Sequence, residues 1–215
     1  MVPDWLRTLR GRLDAELPTW FANHPVPAEP ERSAAVLVLF WQDTVGDTRV
    51  VLTERAHHLR AHAAQAVFPG GHVDPGETAV QAALRESTEE IGVDPATVEV
   101  VDRLPGVYLT PNRTAFTPVL GWWHTPHDVG VVDPNEVHRV VLAGVDELTD
   151  PAHRFTARAP GFQGPGFLVD DLFIWGVTAN LLECVLEVSG LAQPWDPSIT
   201  RSVPYRLLAA YVKEL

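Results

Sequence analysis

Apolar residues recur at helical spacing from the amino terminus, where Trp5, Leu6, Leu9, Leu13, Leu17, Trp20 and Phe21 predict one amphipathic helix over residues 5–21. Its polar face mixes both signs of charge, which suits packing on a protein body rather than on a membrane. The proline-rich "NHPVPAEPERS" reads as a linker, so residues 1–33 form a helix and linker ahead of a main domain at 34–215. "AAVLVLFW" and "TRVVLTER" are runs of branched residues flanking the turn-like "QDTVGD", the pattern of a hairpin. Further strands are expected at Val98–Asp102, Val107–Leu109, Phe116–Trp123 and "EVHRVVLAGVDEL". "APGFQGPG" reads as a loop, "FLVDDLFIWG" as a hairpin strand, "VTANLLECVLEVSG" as a long helix stopped by Gly190, and "VPYRLLAAYVKEL" as a closing helix. Irregular alternation of strands and helices predicts an α/β fold, with helices on both faces of a mixed sheet.

One helix carries a pattern that packing does not explain. In "ETAVQAALRESTEEIG", Thr78 and Gln81 have capping-box spacing and Gly92 sits where a helix stops. Val80, Leu84, Ser87 and Ile91 mark its apolar side, and Glu86, Glu89 and Glu90 gather on a neighbouring side. Like charges four residues apart cost an isolated helix roughly 0.2–0.5 kcal/mol per pair. The C-terminal end of a helix disfavours anions further. Arg85 offsets one carboxylate, not three. A solvated acidic face is the bland explanation. Against it stands the preceding "PGG", whose backbone can approach a ligand closely. Carboxylates grouped with backbone oxygen are donors for a hard cation such as Mg²⁺ or Mn²⁺.

Composition narrows the setting. The formal charge of −12 argues against a general nucleic-acid binder, though a bound cation can supply positive charge locally for a phosphorylated substrate. Cys184 is the one cysteine, which excludes an internal disulfide and fits a reducing, cytoplasmic setting. Its neighbours "NLLECVLEV" place it on a buried helix face. No apolar run reaches the ~20 residues that span a bilayer, and the first residues lack a signal core.

Gly71, five residues, Glu77, seven residues, then Arg85-Glu86-Ser87-Thr88-Glu89-Glu90-Ile91-Gly92-Val93 resembles the Nudix box, with Ser87 where that signature carries an aliphatic residue. The resemblance implies an α/β/α sandwich with a mixed β-sheet. It also implies metal-dependent hydrolysis of a nucleoside diphosphate linked to another group. By it, Glu86 and Glu90 hold the metal with help from Glu89, and the Gly70 carbonyl joins them. Glu77 and Arg85 orient the loop and helix.

Upstream, "LTERAHHLRAHAAQAVFPGG" is similar to the motif of the coenzyme A diphosphatase branch of that family, through Leu52, Thr53, Arg55, Ala56, Arg60, Phe68, Pro69, Gly70 and Gly71. Ala64 stands where that motif has glycine. "DPNEVHRVVLAGVDEL" and "IWGVTANLL" resemble the same branch, so the likeness runs from about Ala34 to Leu191. Arg55 and Arg60 are then candidates for substrate phosphates, since a fixed guanidinium fork suits them. Outside the motif, Arg60 reads equally as a surface residue. His62 is favoured over His57 and His58 as a further substrate contact, and Phe68 and Pro69 as loop packing. Glu86, Glu89 or Glu136 would take the proton of the attacking water. Coenzyme A would yield 3′,5′-ADP and 4′-phosphopantetheine. ADP-ribose or a dinucleotide is the alternative substrate, and a non-catalytic binding module the alternative of another class. A small nucleotide is the expected partner, and a homodimer is compatible with the sequence but not specified by it.

Overall fold

A computed structural model describes residues 1–109 and 113–211. Three short helices, α1 (Asp4–Arg7), α2 (Leu9–Ala15) and α3 (Thr19–Ala22), precede the hairpin β1 (Arg32–Gln42) and β2 (Thr48–Arg55). Short strands β3 (Ala66–Val67) and β4 (Gly70–His72) lead into α4 (Ala79–Ile91). Strands β5 (Val98–Arg103), β6 (Val107–Leu109), β7 (Thr114–Trp123) and β8 (Val137–Gly144) follow, with α5 (Val145–Thr149) after them. The chain continues through β9 (Arg154–Ala159), β10 (Phe162–Val169), β11 (Leu172–Ile174), α6 (Gly176–Ser189), β12 (Thr200–Ser202) and α7 (Tyr205–Tyr211).

The larger sheet runs β3-β2-β1-β7-β5, with β4 also on β1, β6 on β7 and β8 on β2. Its pairs are antiparallel except β1 with β7, which is parallel from Arg32↔Thr114 to Phe40↔Trp122. The sheet is therefore mixed, as expected. Strand β1 is apolar without interruption from Ala34 to Trp41 because both of its faces are covered there. Ala35, Leu37, Leu39 and Trp41 point into one core beside Ala82, Ala83 and Ile91 of α4. Val38 and Phe40 point into the other, beside Leu6, Leu9 and Leu13 and beside Leu182 and Val185 of α6.

The single helix expected over residues 5–21 is three short ones instead. Glu16 is extended, and the residue before Pro18 is steered away from helical geometry. Leu6, Leu9, Leu13 and Phe21 still enter the core, whereas Leu17, in the extended break between helices, is exposed. On α4 the buried positions are Ala82, Ala83, Ser87, Glu90 and Ile91, while Val80 and Leu84 are half-buried. The buried stripe is thus turned toward the glutamates relative to the sequence expectation.

"APGFQGPG" is not a loop. Its centre belongs to β10, which pairs with β9 and β11 in a second sheet of order β11-β10-β9-β12. Glycine there makes room for aromatic rings: a Cβ on Gly166 would lie 2.4 Å from the Phe155 ring. "EVHRVVLAGVDEL" is strand only to Gly144 and then turns into α5. The closing helix is found over Tyr205–Tyr211, and the rest of that expectation lies outside the described residues.

Candidate active site

Helix α4 starts and stops as its sequence dictates. Thr78 Oγ1 accepts from the Gln81 amide, and Gln81 Oε1 accepts from the Thr78 amide at 2.9 Å. Gly92 closes the helix in the left-handed conformation at φ 79°. Ser87 is fully buried and its hydroxyl donates to the Ala83 carbonyl at 2.6 Å. The small residue is satisfied within its own helix, so its departure from the signature leaves the helix intact.

The Gly-Gly loop fits under this helix for steric reasons. Gly70 has φ 151°, and a Cβ there would come 2.2 Å from the Ala35 carbonyl oxygen. A Cβ on Gly71 would lie 2.5 Å from the Glu86 carboxylate. Both positions therefore exclude side chains, and Gly71 leaves the space that Glu86 occupies. Arg85 joins the two elements. Its Nε and Nη2 donate to the two oxygens of Glu77 at 3.0 Å, and Nη2 also donates to the His72 carbonyl. Its Nη1 reaches Glu86 and Glu89, each at 3.0 Å.

The glutamates differ sharply in environment. Glu90 is 2% exposed and accepts from the Gly70 amide at 3.0 Å. Burial, against the pull of that amide and of Arg55 and with Glu136 and Glu86 adding repulsion, pushes its carboxyl up to about 8. Glu86 is also raised, by burial first, with Arg85 opposing and Glu89 and Glu136 adding repulsion. Glu89 is mostly exposed and held on Arg85. From β2, Arg55 comes within 4.0 Å of Glu136, whose backbone carbonyl accepts from the Ala56 amide. A register shift between Glu54 and Arg55 sets the direction of that arginine. Arg55 Nε is buried without a hydrogen-bond partner among the described residues.

A cavity of about 1100 Å³ opens over this cluster. Arg55, His62, Gly70, Gly71, Glu86 and Glu136 line it; Arg60, Glu89 and the buried Glu90 do not. Arg60 is exposed, so the structure leaves it apart from the residues it was grouped with. At Gly70 the observed contact is made by the amide, whereas the resemblance assigns the carbonyl. Ala64 adopts φ 58°, left-handed backbone that explains why the related motif has glycine there. Trp20, His24, Arg113, Phe162 and Trp175 also line the cavity, a wall that local sequence patterns do not mark. Helical spacing accounts for Trp20 as helix packing alone, and the glycines and prolines around Phe162 read as a loop. Only "IWGVTANLL" carried a signal for that wall. Cys184 is buried; burial foremost, with Glu187 and Glu183 nearby, pushes its thiol up to about 12, so it is not a nucleophile at neutral pH.

A mixed sheet that seats a Gly-Gly loop and an acidic helix on one cavity defines an α/β domain equipped with donors for a divalent cation. The NUDIX domain family matches residues 31–161, and the chain belongs to that family. It is similar to Nudix hydrolase 3 of Caenorhabditis elegans, 35% identical over 152 residues, which is 68% of this chain. The chain spans 63% of the length of that relative. The Salmonella newport protein named Uncharacterized Nudix hydrolase NudL is 32% identical over 166 residues, covering 74% of this chain and 83% of its own. Among solved structures, the M. Smegmatis Nudix hydrolase RenU aligns with TM-score 0.55 at 19% identity, covering 77% of this chain and 89% of its own. That likeness establishes the Nudix fold. Among the described residues, no helix is long and apolar enough to cross a membrane.

Proposed function

We propose that the chain is a divalent-metal-dependent hydrolase that cleaves the pyrophosphate of coenzyme A or its derivatives, giving 3′,5′-ADP and 4′-phosphopantetheine. The supporting observation is that Arg55, from the upstream motif, lines the same cavity as Glu86 of the box helix, with a buried Nε free to donate. The donor set suits Mg²⁺ or Mn²⁺. Glu90 is buried beside two other carboxylates, and a cation would turn their repulsion into coordination. Glu86, Glu90, Glu89 and the Gly70 carbonyl are the proposed ligands. When bound, the ion supplies polarisation of the phosphates and a lower pKa for the attacking water.

Arg55 and His62 then bind the phosphates, and Arg85 holds Glu86 in place through the 3.0 Å contact. Glu136 accepts the proton of the attacking water. It lines the cavity with Glu86 while Glu89 does not, which favours the first two as bases. The water oxygen bonds to one phosphorus as the bridging P–O bond breaks, and the departing phosphate leaves with its electron pair. Arg60 would contribute only after movement of the loop that carries it.

Ala64 in the glycine position favours a second reading, in which ADP-ribose or another nucleoside diphosphate derivative is cut at the same bond. A cavity of about 1100 Å³ is roomy enough for any of these ligands. The non-catalytic reading is weakened because every glutamate of the box is present. The test is a panel of coenzyme A, ADP-ribose, NADH and a diadenosine polyphosphate with Mg²⁺ or Mn²⁺, products identified by mass. Adenosine 3′,5′-diphosphate from coenzyme A is expected. Preferential turnover of ADP-ribose would replace the first reading with the second, and no hydrolysis at all would leave a binding module.

A further inference from the structure

A second cluster of metal-type donors lies beside Arg55 but outside the cavity. Glu54 is 8% exposed, in a strand whose neighbouring residues Leu52 and Val50 enter the core away from α4. Its Oε1 meets His57 Nε2 at 2.8 Å, and the His57 and His138 rings lie 4.0 Å apart at 35°. One ligand atom from each of Glu54, His57 and His138 falls within 4.8 Å of the others. None of the three lines the cavity.

We propose that Glu54, His57 and His138 form a second metal site, for Zn²⁺ or a similar imidazole-seeking transition ion, distinct from the carboxylates of α4. Two imidazoles and one carboxylate are the ligand types that such an ion selects over Mg²⁺. A tetrahedral zinc with ~2.0–2.1 Å bonds sets its ligands roughly 3.4 Å apart. Small rotations of two exposed imidazoles supply that closure, and their exposure leaves a path for entry and a fourth position for water. The carboxylate is already fixed: its Oε2 accepts from Arg139 Nε at 2.5 Å, and Arg139 Nη2 is anchored on the Asp170 carbonyl at 3.0 Å. Outer contacts of this kind orient metal ligands in established sites. Burial opposes ionisation of Glu54, but hydrogen bonds from Arg139 and His57 outweigh it and hold the carboxyl below the usual glutamate range. The Glu54–His57 hydrogen bond explains His57 alone. The ring of His138 makes no hydrogen bond to another described residue and stands against His57.

The site joins β2 and the loop after it to the start of β8. An ion there fixes the spacing of Arg55 and Glu136, each of which lies within two residues of one of its ligands.

The test is calorimetric titration of Zn²⁺ into the full chain carrying Glu86→Gln and Glu90→Gln, which silence the carboxylates of α4. One Zn²⁺ per chain is expected. His57→Gln or His138→Gln in that background should weaken it at least tenfold, without displacement by millimolar Mg²⁺. Co²⁺ in place of Zn²⁺ should give the intense visible bands of a four-coordinate site, lost in the same histidine variants. Melting curves without metal verify that each variant is folded. Zn²⁺ affinity unchanged by both histidine substitutions, or no Zn²⁺ binding in the parent, overturns the site.

Discussion

Replacing Glu90 with glutamine separates what the buried carboxyl does for stability from what it does for function. In the metal-free protein Glu90 holds its proton to about pH 8, far above an unfolded glutamate near 4.5. A raised folded pKa contributes stability that is complete below the unfolded value and is lost as pH rises through the folded one. Between pH 6 and 9 the folded group loses its proton while the unfolded group is already ionised. At 1.36 kcal/mol per unit, about two effective units remove about 2–3 kcal/mol. Glutamine keeps an oxygen for the Gly70 amide but cannot ionise. In EDTA, the stability of Glu90→Gln relative to wild type should therefore rise by about 2–3 kcal/mol between pH 6 and pH 9, or about 5–10 °C in melting temperature. The assay is urea unfolding of both proteins at the two pH values. Comparing the two cancels the pH dependence that comes from net charge. Excess Mg²⁺ should offset that rise by stabilising wild type alone, and the variant should be catalytically dead. A stability difference between variant and wild type that does not change from pH 6 to pH 9 in EDTA would refute the reasoning that burial holds this carboxyl protonated.

Three further substitutions probe the scaffold. Gly71→Ala puts a methyl where the Glu86 carboxylate lies, at 2.5 Å, and should cut turnover by at least 100-fold while far-UV circular dichroism is unchanged. Ala64→Gly relieves left-handed strain at φ 58° but removes a buried methyl and loosens the unfolded chain. Those effects offset, and denaturant midpoints should move stability by no more than about 1 kcal/mol. Leu13→Ala, at a position 1% exposed, should cost about 2–5 kcal/mol by the same assay, because the cavity left in the core collapses only partly.

The sequence disclosed most about α4. Its cap, its stop and the placement of Glu86 and Glu90 follow from local chemistry, which Thr78, Gln81 and Gly92 write plainly. Strand β1 was legible because both faces need apolar residues. The second sheet was not: β10 contains Gly164, Pro165 and Gly166, residues of turns, and the strand exists because Phe155 and Phe162 fill the space those glycines leave. That is a tertiary reason with no local signature. The same limit hid the cavity wall at Trp20 and Trp175, which are brought together from opposite ends of the chain. Arg55 and Glu136 were readable only through resemblance; their approach to 4.0 Å depends on the pairing of β2 with β8 and its register shift.

The central claim is that the carboxylates of α4 and Arg55 serve one pyrophosphate, that of coenzyme A. The direct measurement is kcat/KM for coenzyme A and for ADP-ribose, with Mn²⁺, on wild type and Arg55→Ala. The account predicts a higher value for coenzyme A in wild type, falling by at least tenfold in the variant. A higher value for ADP-ribose, or a coenzyme A value that Arg55→Ala leaves unchanged, would contradict it.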